Sequence, residues 1–312
     1  MKTLTPTAFA EIHRWITRNA RPLEHALWRY HFENGTKEAV LAILSDYQNS
    51  DGGFGHALEP DNWNPESTPV STEFATSILR QIDFFDPSRP LIQGICRYLE
   101  HTAYQSDSGW FFAIPSNNSH PHAAWWDYNP QTNAANYIGI TAFLSGFLLR
   151  YGDRQSALYH QALGYIKKLI ARFAESTDFG EMGIRGYCDL LEDIEVAGLS
   201  DEFDCRILRE KLPVLIQPII HDEAYRHMGN ALGVVPSPGS RFYAENRREV
   251  EEALDELVNE RPTGGVWPIP WEWYNGDQYR KEFAVAENWW KSSKAIEKLL
   301  LLRRFGRLEG SL

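Results

Sequence analysis

The strongest constraint on this chain is internal repetition. A helical stretch, a Gly-rich turn carrying an aromatic or apolar residue, a link and a second helical stretch recur along it. The first copy runs through YQNSDGGFGHALEPD to STEFATSILRQIDFF, the second through ICRYLEHTAYQSDSGWFFAIPS to TNAANYIGITAFLSGFLLRYGD. The last runs through VEEALDELVNERPTGGVWPIPWEWYNG to FAVAENWWKSSKAIEKLLLLRRFG. Laid together, Gly52-Gly53-Phe54 meets Ser108-Gly109-Trp110 and Gly264-Gly265-Val266, while Glu73 and Glu287 fall within two residues of one register, each near a helix start. Two looser copies lie between, ALYHQALGYIKKLIARFAESTDFGEMG with YCDLLEDIEVAGLS, and CRILREKLPVLIQPIIHDEAYRHMGN with a polar link. The chain thus divides into about five or six helix pairs.

A helix pair cannot bury an amphipathic stripe alone, so neighbouring pairs must stack. With so few pairs and no polar terminal cap, closing the array hides both ends. The expectation is an all-α chain forming a single α/α toroid over residues 1–312, with an open superhelix as the structural alternative. No Gly/Ser-rich or charged linker interrupts the series to suggest two domains. Periodicity predicts helices from Thr7 to Arg18, from Pro22 into Phe32 and from Gly35 to Asp46, where Val40, Ile43 and Leu44 share a face. The next helix has its start at Ser71 or Thr72, a hydroxyl there serving as cap, and another follows around Leu91 to His101.

Composition narrows the function classes. A formal net charge of -11 and the lack of a basic stripe with interleaved rings argue against nucleic acid as a partner. Three widely spaced cysteines, Cys96, Cys188 and Cys205, without a Cys-x-x-Cys, fit a reducing compartment. The N-terminus turns charged before an apolar run develops, and no stretch approaches the roughly 20 apolar residues of a membrane span. The expectation is a cytoplasmic protein with a small-molecule or oligosaccharide ligand. With 11 Trp, 14 Tyr and 16 Phe, the rings must fill either a large core or a ring-lined cavity.

The turn QNSDGGFG, Gln48 to Gly55, resembles the Q-x-x-D/S-G-G-F/W turn of the squalene cyclase and protein prenyltransferase repeat superfamily, and Gly109-Trp110 and Gly264 to Trp267 are similar to weaker copies. The resemblance implies an (α/α)6 toroid in which the turn joins outer and inner helices and a substrate enters a cavity bounded by the inner ones. It implies isoprenoid chemistry, yet the Asp-x-Asp-Asp run of class II cyclases is missing, as is an Asp-Asp-x-x-Asp diphosphate site. The nearest text to the latter is Asp189-Leu190-Leu191-Glu192-Asp193, a helical face that could take Mg2+ or simply be a solvated surface. No organic cofactor is expected. The zinc set of prenyltransferases finds only an imitation in Asp204 and Cys205 with His221 or His227.

The turn-to-inner-helix segments supply the candidate site. Catalytic candidates are the carboxylates Glu59, Asp61, Glu73, Glu272 and Glu287; substrate-binding candidates are His56, Trp110, Trp126, Asp127, Asn133, Trp267, Trp273 and Trp289. A carboxyl against an apolar wall has its pKa raised and becomes a general acid, while a second stays ionised. Glu59 or Asp61 paired with Glu272 or Glu287 fits such a dyad if the toroid closes. Glu73 and Glu287 have an equally ordinary reading, as first-turn acids that bond free N–H groups. His56 has an ordinary reading in loop packing, and at most one ring each of Trp125-Trp126 and Trp289-Trp290 can face a cavity. Three functions remain open: an enzyme acting on an isoprenoid in an aromatic-lined acidic cavity, a carbohydrate-processing hydrolase or lyase using paired carboxylates, and a non-catalytic binding protein on the same fold.

Overall fold

A computed structural model describes residues 1–180, 182–221 and 230–310. Among them the protein is all-α, its packed helices joined by loops and one short antiparallel hairpin, Gln105–Ser106 (β1) against Gly109–Trp110 (β2). The segment 222–229, which includes His227 and the last part of the copy that begins at Cys205, lies outside the described residues. No helix among the described residues is long and apolar enough to cross a membrane.

The described helices are α1 (Pro6–Asn19), α2 (Pro22–Phe32), α3 (Lys37–Ser45), α4 (Pro69–Gln81), α5 (Pro90–His101), α6 (Pro130–Tyr151) and α7 (Ala157–Glu175). They continue with α8 (Gly183–Val196), α9 (Arg206–Leu215), α10 (Gln217–His221), α11 (Asn230–Val234), α12 (Arg247–Glu260) and α13 (Arg280–Arg304). Two compact units are formed: one from 1–43, 215–272 and 280–312, the other from 44–214 with 273–279.

The first unit joins the two ends of the chain. Thr5 caps α1 by accepting the Ala8 N–H at 3.2 Å, and Ala8, Ile12 and Ile16 form the buried stripe that the periodicity predicts. Leu4 bridges to Leu308, its N–H donating to the Arg307 carbonyl at 2.8 Å. Arg307 is buried and anchors this junction, donating to the Lys2 carbonyl at 2.7 Å and to Asp255 at 2.6 Å and pairing with Glu251. At the start of α2, buried Arg21 and Glu24 pair at 2.7 Å, and the Arg21 guanidinium lies 4.9 Å from the centre of the Trp289 ring.

In the second unit two turns dock onto following helices by the same device. The Phe54 N–H donates to Thr72 Oγ1 in α4 at 3.2 Å, and the Trp110 N–H donates to Thr141 Oγ1 in α6 at 3.1 Å. All four residues are buried, so the backbone donors would otherwise lose water without replacement. The approach is close enough to require glycine: a Cβ on Gly109 would lie 2.1 Å from Thr141 Oγ1. Gln48 braces the first turn, its amide donating to the carbonyls of Gly52 and Leu91, both at 2.9 Å.

Helix α4 begins earlier than the sequence suggests. Its cap is Thr68, which accepts the Ser71 N–H at 2.9 Å, and Pro69 takes the first helical position; the prolines that read as link open the helix instead. Glu73 is therefore the fifth residue of α4 and Glu287 the eighth of α13, both beyond the first-turn N–H groups that an acidic cap serves.

Replacing Thr72 or Thr141 by Val keeps shape but strands a buried N–H. Each variant should lose about 1–3 kcal/mol in chemical denaturation, and an unchanged midpoint would show that the hydroxyl does not hold the turn.

Candidate functional site

Helices α6 and α8 approach closely because glycines line their seam. A Cβ on Gly186 would lie 3.1 Å from Ala142 Cβ and from Gly139 Cα, and one on Gly146 would lie 2.1 Å from Asp193 Oδ2. Asp193, with only 3% of its side chain exposed, is held there by Arg80 of α4 through two bonds of 2.9 and 2.8 Å, with Arg150 of α6 at 3.5 Å. This bidentate pair fixes α4 against α8. Seven residues before Arg80 on the same face stands Glu73; four and eight residues before Asp193 stand Asp189 and Arg185. The two stripes bring Glu73, Asp189, Arg185 and Arg80 within electrostatic reach of one another.

Burial pushes the Glu73 carboxyl up to about 7; Arg185 and Arg80 pull it back, while Asp189 adds to the rise. No hydrogen bond or ion pair to its carboxyl is made among the described residues. Burial likewise lifts Asp189 to about 6 against the pull of Arg185, which lies 4.0 Å away. Glu73 and Asp189 are both half-buried, Asp189 with 43% of its side chain open to water, so water screens part of the rise at each. A carboxyl near 7 can both give and take a proton at neutral pH, beside a second acid that is mostly ionised there. Neighbouring Cys188 is pushed by burial up to about 12, so it offers a thiol and no thiolate nucleophile.

The other predicted site residues are scattered, and most serve the scaffold. Trp110 is fully enclosed and donates its indole N–H to the Leu99 carbonyl at 3.0 Å; Trp267 does the same with Leu257 at 2.7 Å. Both rings are buried with their polar edges satisfied by carbonyls near helix ends, as core indoles are. Asn133 accepts the Phe112 and Ala113 N–H groups at 2.7 and 2.9 Å and latches a loop. Trp126 is buried against Phe112, and His56, at φ 54°, turns its ring to Asn49 at 2.9 Å.

Asp61 and Trp273 meet as anticipated for an acid beside an indole, with the indole N–H 2.5 Å from Asp61 Oδ1, but both are buried together and Glu59 is buried nearby in sequence. Asp127, 62% exposed, pairs at 2.7 Å with buried His122. Glu287 pairs with Lys291 one turn on at 2.6 Å, Glu272 is exposed, and Trp289 lies under Arg21. Glu272 and Glu287 belong to the first unit and Glu59 and Asp61 to the second, so neither unit by itself assembles the dyad.

Glu73 is thus the one predicted acid that the structure sets among other ionisable groups with its own charge unmet. Sequence reasoning passed over Arg80 and Arg185, and read Asp189 as part of a helical face that either takes Mg2+ or is solvated surface. The signal was the matched spacing, seven on α4 and four plus four on α8. The acids of that face diverge: Asp193 turns inward to Arg80 while Glu192 is exposed. Asp204 is taken by Arg206 at 2.7 Å. Among the described residues no group of three His, Cys, Asp or Glu side chains is placed to hold a metal ion.

Arg80→Met leaves Asp193 buried with only Arg150 near it and should cost about 3 kcal/mol or more; Arg80→Met with Asp193→Leu should recover much of that loss in urea denaturation, and a double variant as unstable as the single one would count against the pair as a unit. No family model, no curated protein and no solved structure matches this chain.

Proposed function

We propose that the chain is an enzyme of acid–base chemistry acting on a polar, hydroxyl-rich substrate of the carbohydrate kind, on an (α/α)6 toroid of repeated helix pairs. Glu73 is the proton donor and Asp189 its ionised partner. The observation that carries this reading is the Glu73 carboxyl held at about 7 beside a second carboxylate. Perturbed carboxyls set beside an ionised partner cluster at sites of acid–base chemistry. The charged company of Arg185 and Arg80 suits a polar substrate. The indoles that would have walled a hydrocarbon cavity at Trp110, Trp126, Trp267 and Trp273 are instead enclosed.

Two observations support the toroid. The turns at Phe54 and Trp110 dock by the same threonine device, which is the signature of a repeated unit. The first and last helices of the chain share one compact unit, as the closure of an array demands. Isoprenoid chemistry is the second reading, and the QNSDGGFG turn is the observation in its favour.

The two readings separate in a thermal-shift comparison of oligosaccharides with prenyl diphosphates plus magnesium, since a ligand bound by the folded state raises its stability. Selective stabilisation by a sugar is the expected result, and Glu73→Gln should then keep that stabilisation while turnover falls at least about 100-fold. Stabilisation only by the prenyl compounds would move the assignment to the second reading. The pH profile of kcat/KM should be a bell with limbs near 6 and 7, and its alkaline limb should vanish if the acid is removed.

Glu73 also leaves a mark on stability. Its folded value lies above the ordinary 4.5, so the native state holds a proton that the unfolded chain has released. That contribution is complete below 4.5 and is lost as pH rises through about 7. Glu73→Gln should therefore unfold at higher denaturant than the wild type at pH 8, by about 1–3 kcal/mol after screening by water, and match it at pH 4. Equal midpoints at pH 8 would mean that Glu73 is not held protonated by the fold.

A further inference from the structure

Helix α7 contains an interior glycine that no neighbour explains. Glycine weakens a helix relative to alanine, and where unit two uses it inside other helices the cause is a close approach: Gly139 to Met182, Gly146 to Asp193, Gly186 to Ala142. Gly164 is different, because a Cβ built there meets no atom within 4 Å. The helix therefore forgoes stability to leave open space.

That space is a recess of about 420 Å3 between α7 and the hairpin turn, lined almost wholly by polar side chains. Its walls are braced before any ligand arrives. The Gln161 amide donates to Gln105 Oε1 at 2.6 Å and to Tyr165 Oη at 2.8 Å, Tyr165 donates to the Ser106 carbonyl at 2.9 Å, and Lys168 reaches the Asp107 carbonyl. Two acceptors, the Gln161 Oε1 and the Asp107 carboxylate, make no hydrogen bond among the described residues. An amide oxygen and a carboxylate left open in one recess suit the hydroxyl donors of a vicinal diol. The one lysine of the wall is tied to the Asp107 backbone carbonyl, and the lining also holds the Asp107 carboxylate, so the recess carries no excess of positive charge for an anion.

We propose that the recess over Gly164 is a binding site for a neutral polyol of monosaccharide size, with Asp107 and Gln161 as its acceptors. It stands independently of the chemistry at Glu73. The glycine is the floor that admits the ring of the ligand, and the hairpin supplies the opposite wall.

The probes are D-glucose, D-galactose, D-mannose and sorbitol, titrated calorimetrically into the full chain with Gly164→Ala and Gly164→Leu beside it. At least one probe should bind saturably to the wild type. Both variants should melt about 2 °C or more higher than the wild type, because they restore helix propensity in open space, and Gly164→Leu, which fills the recess, should bind at least about 10-fold more weakly. Asp107→Asn should weaken binding without lowering the melting temperature. Absence of saturable binding by all four, binding untouched by Gly164→Leu, or binding of inorganic phosphate in their place would overturn the site. Variants that melt below the wild type would overturn the argument from the glycine itself.

Discussion

The pairing of Arg80 with Asp193 is the interaction on which the candidate chemistry depends. A carboxylate as enclosed as Asp193 is costly to keep charged unless a partner meets both its oxygens, and Arg80 does so with its planar fork. Gly146 makes the arrangement sterically possible, since any side chain there would strike the carboxylate. With that pair in place, α4 and α8 are locked in one register, and everything that precedes them on the same faces is set as well. Glu73 and Asp189 come together because Arg80 and Asp193 do.

The sequence made much of the helical framework legible. The boundaries of α1 and α2 differ from expectation by one residue at most, because Thr5-Pro6 and Arg21-Pro22 open them and the buried stripe has a clear period. The turns at Gly52 and Gly109 were visible as recurring glycines, and both adopt positive φ. The start of α4 was misread because Pro69 looks like punctuation when the hydroxyls at Ser71 and Thr72 follow it, although proline is at home in a first helical turn. That small displacement decided the reading of Glu73. Placed three residues in, it would cap the helix; placed fifth, it has no free N–H to meet and is left with its own desolvation.

The candidate site was less legible, because its partners are far apart in sequence: 113 residues separate Arg80 from Asp193. Aromatic side chains misdirected the reading for a physical reason. An indole adds area to a core and needs one acceptor for its N–H, and a carbonyl near the end of a preceding helix meets that need at Trp110 and at Trp267. The same residue type would serve a ligand, and nothing in spacing separates the two uses. Trp125 and Trp126 show how local geometry divides a pair: in a tight turn of helix, Trp126 is buried and Trp125 is only partly covered, packed edge-on to Tyr274.

A net charge of -11 means that acids outnumber the arginines and lysines available to meet them. The buried arginines are spent on particular carboxylates: Arg21 on Glu24, and Arg307 on Glu251 and Asp255. Arg80, partly buried, is spent on Asp193. A half-buried carboxyl whose nearby guanidinium is already engaged has a cheaper way to remain in the fold, which is to keep its proton. Glu73 occupies that position. Its elevated value therefore follows from how this chain distributes its few cations, and relocating one would reverse it: a cation free to face Glu73 would restore the carboxylate and remove the acid.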